Sequence, residues 1–166
     1  LLALLIWLAI IYNRLVVDRN RVLTAWSDID VQLKRRHDLI PKLVEAVKQY
    51  AEYESAVMQA ITEVRSQGVS TGRITDISAA ESRLGNNIKK LIAVAEAYPE
   101  LKANRSFMDL QTSLTDTENQ IQFARRYYNG AVRNLNIRIE SFPDMLVARL
   151  FRFVPAQFFD FDDAQG

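Results

Sequence analysis

From Phe107 onward, Leu110, Leu114, Thr117, Ile121, Ala124, Tyr128, Ala131 and Leu135 follow one another at alternating steps of three and four residues without a slip. That spacing lines one face of an α-helix and no face of a strand, where side chains alternate at every second residue. A seam held this long implies coiled-coil-like packing against another helix. Three earlier stretches keep the same period: Val22, Trp26, Ile29 and Leu33; then Ile40, Leu43, Val47, Tyr50, Val57, Ile61 and Val64; then Ile77, Leu84, Ile88, Leu91, Ala95 and Tyr98. No strand pattern competes. Four amphipathic helices bury such stripes most economically as an elongated antiparallel four-helix bundle.

Only five glycines and four prolines are present, and they set the expected boundaries. Asp38-Leu39-Ile40-Pro41 predicts an interruption, with a second helix starting near Pro41, because proline suits a first helical turn and not an interior. Gly68, Ser70, Thr71 and Gly72 predict a loop, Thr75-Asp76 the N-cap of a third helix, and Pro99 its close. Gly85 falls inside that third helix at a cost of about 1 kcal/mol relative to alanine, which points to a close backbone approach or a weak point. Near the C-terminus, Ser141-Phe142-Pro143-Asp144 has the form of a helix start with a capping residue and an acid three positions on. Leu146, Val147, Leu150, Phe151 and Val154 then share one face, with Arg149 and Arg152 on the other: a short amphipathic helix ending at Pro155. Phe158, Phe159 and Phe161 follow among Asp160, Asp162 and Asp163.

Leu1 to Tyr12 carries no charge and has apolar side chains facing every direction, which suits hydrocarbon or the centre of an oligomer. A bilayer core about 30 Å thick needs roughly 20 such residues at about 1.5 Å each, so this run reads as an N-terminal transmembrane helix truncated at its start. No small-residue cleavage site follows it, as a secretory signal would require. Arg14, Arg19, Arg21, Lys34, Arg35 and Arg36 crowd its C-terminal side and place the bulk of the chain on the cytoplasmic face. The expected domains are residues 1–17 as anchor, 18–142 as bundle and 143–166 as a Phe-rich tail.

Composition excludes several chemistries. A net charge of +1 recommends no nucleic acid as a partner. Cysteine is absent and His37 is the sole histidine, so thiol catalysis, thiolate metal sites and Glu-x-x-His carboxylate centres lack their residues. Glu45, Glu52, Glu54, Glu63, Glu81, Glu96 and Glu118 are scattered as exposed helix charges normally are, so no metal, no cofactor and no catalytic residue is expected. Candidate contact surfaces remain. Lys34, Arg35 and Arg36 form a basic run that suits a partner or lipid headgroups, although such a run at a helix end is more often a solvated face. Arg125, Arg126 and Tyr127 form a polar and aromatic cluster, and Leu150, Phe151, Phe158, Phe159 and Phe161 an apolar one. Six phenylalanines from Phe142 to Phe161 need covering, by folding back, by a neighbouring copy or by the membrane interface. Trp26 lies on its seam and is expected to pack in the core.

The run YNRLVVDRNRVLTAWSDIDVQLKRRHDLIPKLVEAVKQYAEYE, Tyr12 to Glu54, closely resembles the LemA family of bacterial membrane proteins. YPELKAN at Tyr98 to Asn104, TENQIQFARRYYN at Thr117 to Asn129 and the Phe142-Pro143 step resemble it too. Lys42 and Tyr53 depart from residues common at those positions in the family. The resemblance implies a membrane helix with a small external N-terminus, followed by a long helical bundle at the bacterial inner or plasma membrane, and it supplies no catalytic residues. The expected function is a membrane-anchored scaffold that contacts lipid and forms homo-oligomers. A signalling or adaptor role beside another membrane protein, such as a protease, is the alternative.

Overall fold

The computed structural model describes residues 2–51, 55–66 and 72–159. It contains helices α1 (Leu2–Ala51), α2 (Ser55–Arg65), α3 (Ile74–Ala95), α4 (Pro99–Lys102), α5 (Arg105–Glu140) and α6 (Asp144–Leu150). Among the described residues there is no strand, so the chain is all-α. Gly68, Ser70, Thr71, Glu52, Glu54 and the acidic residues after Phe159 lie outside the described residues.

Several helix boundaries differ from the sequence expectation. α1 does not stop before Pro41 but runs through it. Leu33, Arg36, Ile40, Leu43, Val44 and Val47 are buried in one unbroken register across the proline, while Pro41 itself faces solvent. An interior proline costs about 3 kcal/mol through a lost amide and a clash with the carbonyl four residues back. Burying Leu43, Val44 and Val47 beyond it contributes roughly 1.5–3 kcal/mol each, so packing wins. α3 begins at Ile74 with extended Arg73 at its N-cap and no side-chain cap, placing Thr75 and Asp76 inside the first turn. Asp76 still acts there on the partial positive charge of the helix start. Just upstream, Gly72 holds φ +139, a conformation that L side chains rarely adopt. α3 already ends at Ala95, and Pro99 opens α4 in its first turn. The expected cap at Ser141 is also displaced: α6 starts at Asp144 with Pro143 at its N-cap, after a cis Phe142–Pro143 peptide.

The chain divides into two compact units. The first joins α1 up to Asp30 with Gln122–Phe159. There α1 and α5 run antiparallel, with Asp18 meeting Arg138 and Trp26 meeting Tyr128. Ile11, Leu15, Val22, Ala25 and Ile29 of α1 are buried in this unit, as are Tyr128, Val132, Leu135 and Ile139 of α5, Val147 and Ala148 of α6, and Phe159.

The second unit, Val31–Ile121, contains the end of α1, α2, α3, the one-turn α4 and the start of α5 among its described residues. Its core gathers Ile40, Leu43 and Val47, then Val57, Ile61 and Val64, then Leu84, Ile88 and Leu91, and finally Leu101, Phe107 and Leu114. The long seam is as expected: Phe107, Leu114, Thr117, Ile121, Tyr128 and Leu135 are buried, with Leu110, Ala124 and Ala131 half-buried beside them.

Among the described residues no helix is long and apolar enough to cross a membrane. The expected transmembrane helix is thus not present as a span, because the apolar run gives way to Asn13, Arg14 and Asp18 within the same helix. Leu2, Leu4, Leu5, Ile6 and Ile10 are between 47% and 73% exposed, and burial begins at Ile11 and Leu15.

Candidate functional site

Arg36 and Glu81 occupy positions on the apolar stripes of α1 and α3, and both side chains are buried, at 1% and 3% exposure. Arg36 is therefore interior and not part of a basic surface, and Glu81 is not a solvated helix charge. A guanidinium and a carboxylate survive burial only when paired and hydrogen-bonded. Here Arg36 Nη2 donates to the Glu81 backbone carbonyl at 2.8 Å and, more closely, to Glu81 Oε2. Its Nη1 donates to Glu118 Oε2 of α5 at 2.9 Å, and His37 Nε2 lies 2.8 Å from Glu81 Oε1. Three helices of the second unit are tied through one arginine. Arg36 Nε and the Gln32 side-chain oxygen, one turn apart, are buried without a hydrogen-bond partner among the described residues.

Gly85 makes the cluster possible. A Cβ there would stand 3.2 Å from Arg36 Nη1, closer than side chains normally pack. The close approach expected at this glycine is the approach of a buried guanidinium. Burial by itself would raise the Glu81 pKa, but the hydrogen bonds from His37 and Arg36, with their charges, outweigh it and hold the carboxyl below its ordinary value. Glu81 is thus fixed as an anion. Arg36, Gly85, Lys89, Thr115 and Glu118 border a cavity of about 170 Å³ floored by Ile88, Ile92 and Leu114. Small-molecule sites typically have roughly 300–1,000 Å³. A broader groove of about 710 Å³ continues past Glu96, Gln111 and Thr112 between α3 and α5. Among the described residues no group of three or more potential metal-ligating side chains converges.

The first unit has its own ion cluster. Asp18, 3% exposed, accepts from Arg138 Nε at 2.5 Å and from Arg21 Nη1 at 3.2 Å, while Arg138 Nη1 reaches Asp144 of α6 at 3.2 Å. The hydrogen bond to Asp18 raises the Arg138 pKa against the opposing effect of burial, so the charge is permanent. These pairs join α1, α5 and the start of α6.

The chain after α6 folds back on α5 through two asparagines one heptad apart. Asn136 donates to the Ala156 carbonyl at 3.0 Å and accepts the Ala156 N–H at 2.9 Å. Asn129 does the same with Phe159, at 3.1 and 2.9 Å. Tyr128 donates its hydroxyl to the Gln157 carbonyl at 2.8 Å, and burial pushes its pKa up to about 12. Trp26 completes the packing, with ring centroids 5.7 Å from Tyr128 and 5.8 Å from Phe159.

The surface residues expected from sequence therefore separate. Lys34, Arg35, Arg126, Tyr127, Leu150 and Phe151 are exposed, Arg125 and Phe158 are half-buried, and Arg36 and Phe159 are buried. Phe161 lies outside the described residues. Arg126 stacks over the Phe123 ring at 4.7 Å. Asp18, Asn129, Asn136 and Arg138 are functional positions that the sequence pattern did not single out, and Glu81 is one it placed on the surface. The available signal was a charge on an apolar stripe: Asp18 continues Ile11 and Leu15 to Val22, and Glu81 precedes Leu84 and Ile88 by three and seven residues.

Known proteins align with this chain over most of its length. Magnetosome protein MamQ 2 of Paramagnetospirillum magneticum is 25% identical over 174 aligned positions, covering 89% of this chain and 64% of that protein. Magnetosome protein MamQ of Magnetospirillum gryphiswaldense is 23% identical, covering 96% and 68% respectively. Protein LemA of Metamycoplasma hominis is 28% identical, covering 82% of this chain and 63% of the relative. The chain thus spans about 64% of the length of the P. magneticum relative. The LemA family profile matches residues 25–166, from the middle of α1 through the tail, and on that match the chain belongs to the LemA family.

Proposed function

We propose that this chain is a membrane-anchored scaffold that works through contacts with copies of itself at the bacterial inner or plasma membrane, with no reaction assigned to it. The observation that carries this reading is the exposure of Leu2, Leu4, Leu5, Ile6 and Ile10 around a helix with no charge before Arg14. Such a surface needs hydrocarbon or another apolar helix to cover it. At about 1.5 Å per residue the run reaches roughly 15 Å, half of a hydrocarbon core, and we assign it as the part of a single-pass anchor that enters the bilayer. The arginines that follow it favour an external N-terminus and a cytoplasmic bundle. The buried charges support a mechanical role, since Arg36, Glu81, Asp18 and Arg138 are occupied with one another.

The test is the mass of the particle extracted from membranes in mild detergent without crosslinker. A uniform assembly of this chain alone is the expected result. A monomer, or a stoichiometric complex with a second membrane protein such as a protease, would replace the scaffold with an adaptor.

A further inference from the structure

We propose that α6 and the turn after it form a foot that rests on the surface of an anionic bilayer beside the point where α1 enters. The inference rests on the membrane reading above and adds a second lipid contact on a different element. Only Val147 and Ala148 of α6 are buried. Leu146 is 53% exposed, Leu150 68%, Phe151 46% and Val154 76%, four large apolar side chains uncovered within nine residues. Arg152 adopts φ +57 at the end of the helix, and the Phe153 N–H donates back to the Ala148 carbonyl at 2.9 Å.

Two observations choose a lipid surface as the occupant. The first is position: the Phe151 ring lies 4.7 Å from Tyr12 and Phe153 lies 5.9 Å from it, so the patch adjoins the last residue of the uncharged run. Aromatic side chains at the end of such a run are characteristic of the membrane interface. The second is charge. Arg19, Arg149 and Arg152 are exposed, the last two on the foot itself, and among the described residues no salt bridge ties up any of the three. Arg19 instead stacks over Phe153 at 5.4 Å. The nearby acids, Asp18 and Asp144, are already taken by Arg21 and Arg138. Exposed apolar groups on an element that also carries arginines without a carboxylate partner complement acidic headgroups over acyl chains. A second copy docking through the same patch would bring these arginines against their own counterparts.

The absence of cysteine allows single labels to be placed in the full-length chain. An environment-sensitive fluorophore is attached to Leu150→Cys or, separately, to Leu5→Cys, and the protein is reconstituted with phosphatidylcholine vesicles or with equal parts phosphatidylcholine and phosphatidylglycerol. In the anionic vesicles both labels are expected to shift blue and resist acrylamide quenching. In neutral vesicles, or when Arg149→Glu and Arg152→Glu are added, the label at position 150 returns to its quenching in water while the label at position 5 stays protected. Position 5 protected with position 150 fully quenched in anionic vesicles would overturn the foot and leave the anchor. Position 5 unprotected would overturn the anchor, and the foot with it. Protection at position 150 that is equal in neutral vesicles and grows with protein concentration would assign the patch to a second copy. Unchanged helical circular dichroism in the Glu variants excludes misfolding as the cause.

Discussion

At the residue scale, Arg36 converts a glycine and a glutamate into structural parts. Gly85 lies in a helix interior, where alanine is ordinarily better by about 1 kcal/mol. The guanidinium 3.2 Å from the added methyl is held by Glu81 and Glu118 and has little freedom to retreat. Gly130 of α5 has nothing within 4 Å of the same methyl. Gly130→Ala is therefore expected to raise unfolding stability by about 0.5–1 kcal/mol, and Gly85→Ala to give no gain or a loss. Equal gains in urea titrations would mean that Arg36 yields freely.

Glu81 supplies a pH prediction at the same scale. Its native pKa lies below the ordinary value of 4.5, so the folded state binds the proton less readily than the unfolded state. The stability it contributes is complete above that ordinary range and is lost as pH falls through the lower native value. Glu81→Gln should cost on the order of 3 kcal/mol at neutral pH by leaving a buried arginine undercompensated. It should also flatten the acid limb of the stability curve, and an unchanged acid limb would remove Glu81 from the linkage.

Among the elements, α1 and the tail show what the sequence made legible and what it hid. The 3-4 period identified the long seam of α5, and the same period ran through Ile40, Leu43 and Val47, but proline chemistry argued for a break at Pro41. Propensity is local, whereas the burial that overrode it depends on α2, α3 and α5, which local sequence does not place. Pro41 faces solvent, so Pro41→Ala restores an amide hydrogen bond without disturbing the core. It should stabilise the chain by up to about 3 kcal/mol at constant helical circular dichroism. A fall in stability would show that the proline packs or directs the helix. The buried ion clusters were half legible, as charges on apolar stripes, but which charge would meet which required the helices to be side by side.

The tail clamp was invisible for another reason. Asn129 and Asn136 bond to backbone, and backbone leaves no pattern in a sequence. With two bonds at each asparagine and about 1 kcal/mol net per bond, Asn129→Ala with Asn136→Ala should lose about 4 kcal/mol of tail attachment. Amide exchange at Ala156 and Phe159 should accelerate well before α5 begins to exchange. Exchange of tail and helix in step would mean that the clamp and α5 open as one unit.

For the whole molecule, the division between what holds the fold and what remains exposed falls at Ile11. Side chains before it, Leu2, Leu4, Leu5, Ile6 and Ile10, leave between 47% and 73% of their surface uncovered, whereas Ile11 and Leu15 are at 3% and 0%. None of residues 2–10 belongs to the buried core, although Leu8 is half-buried, so removing them strips mainly exposed apolar surface. Each exposed leucine or isoleucine is worth roughly 1.5–3 kcal/mol when fully transferred out of water, and five of them supply enough to hold a chain to a bilayer or to its neighbours. The shortened chain should keep its thermal midpoint to within about 4 °C, the shift that 1 kcal/mol produces in a domain of this size. It should lose detergent-dependent extraction and run as a smaller particle by light scattering. A shortened chain that unfolds much earlier would make the apolar run part of the folding core. One that keeps its full assembly size would move self-association to the surfaces of the two units, and the exposed Lys34, Arg35, Phe123 and Tyr127 would then be the first residues to substitute.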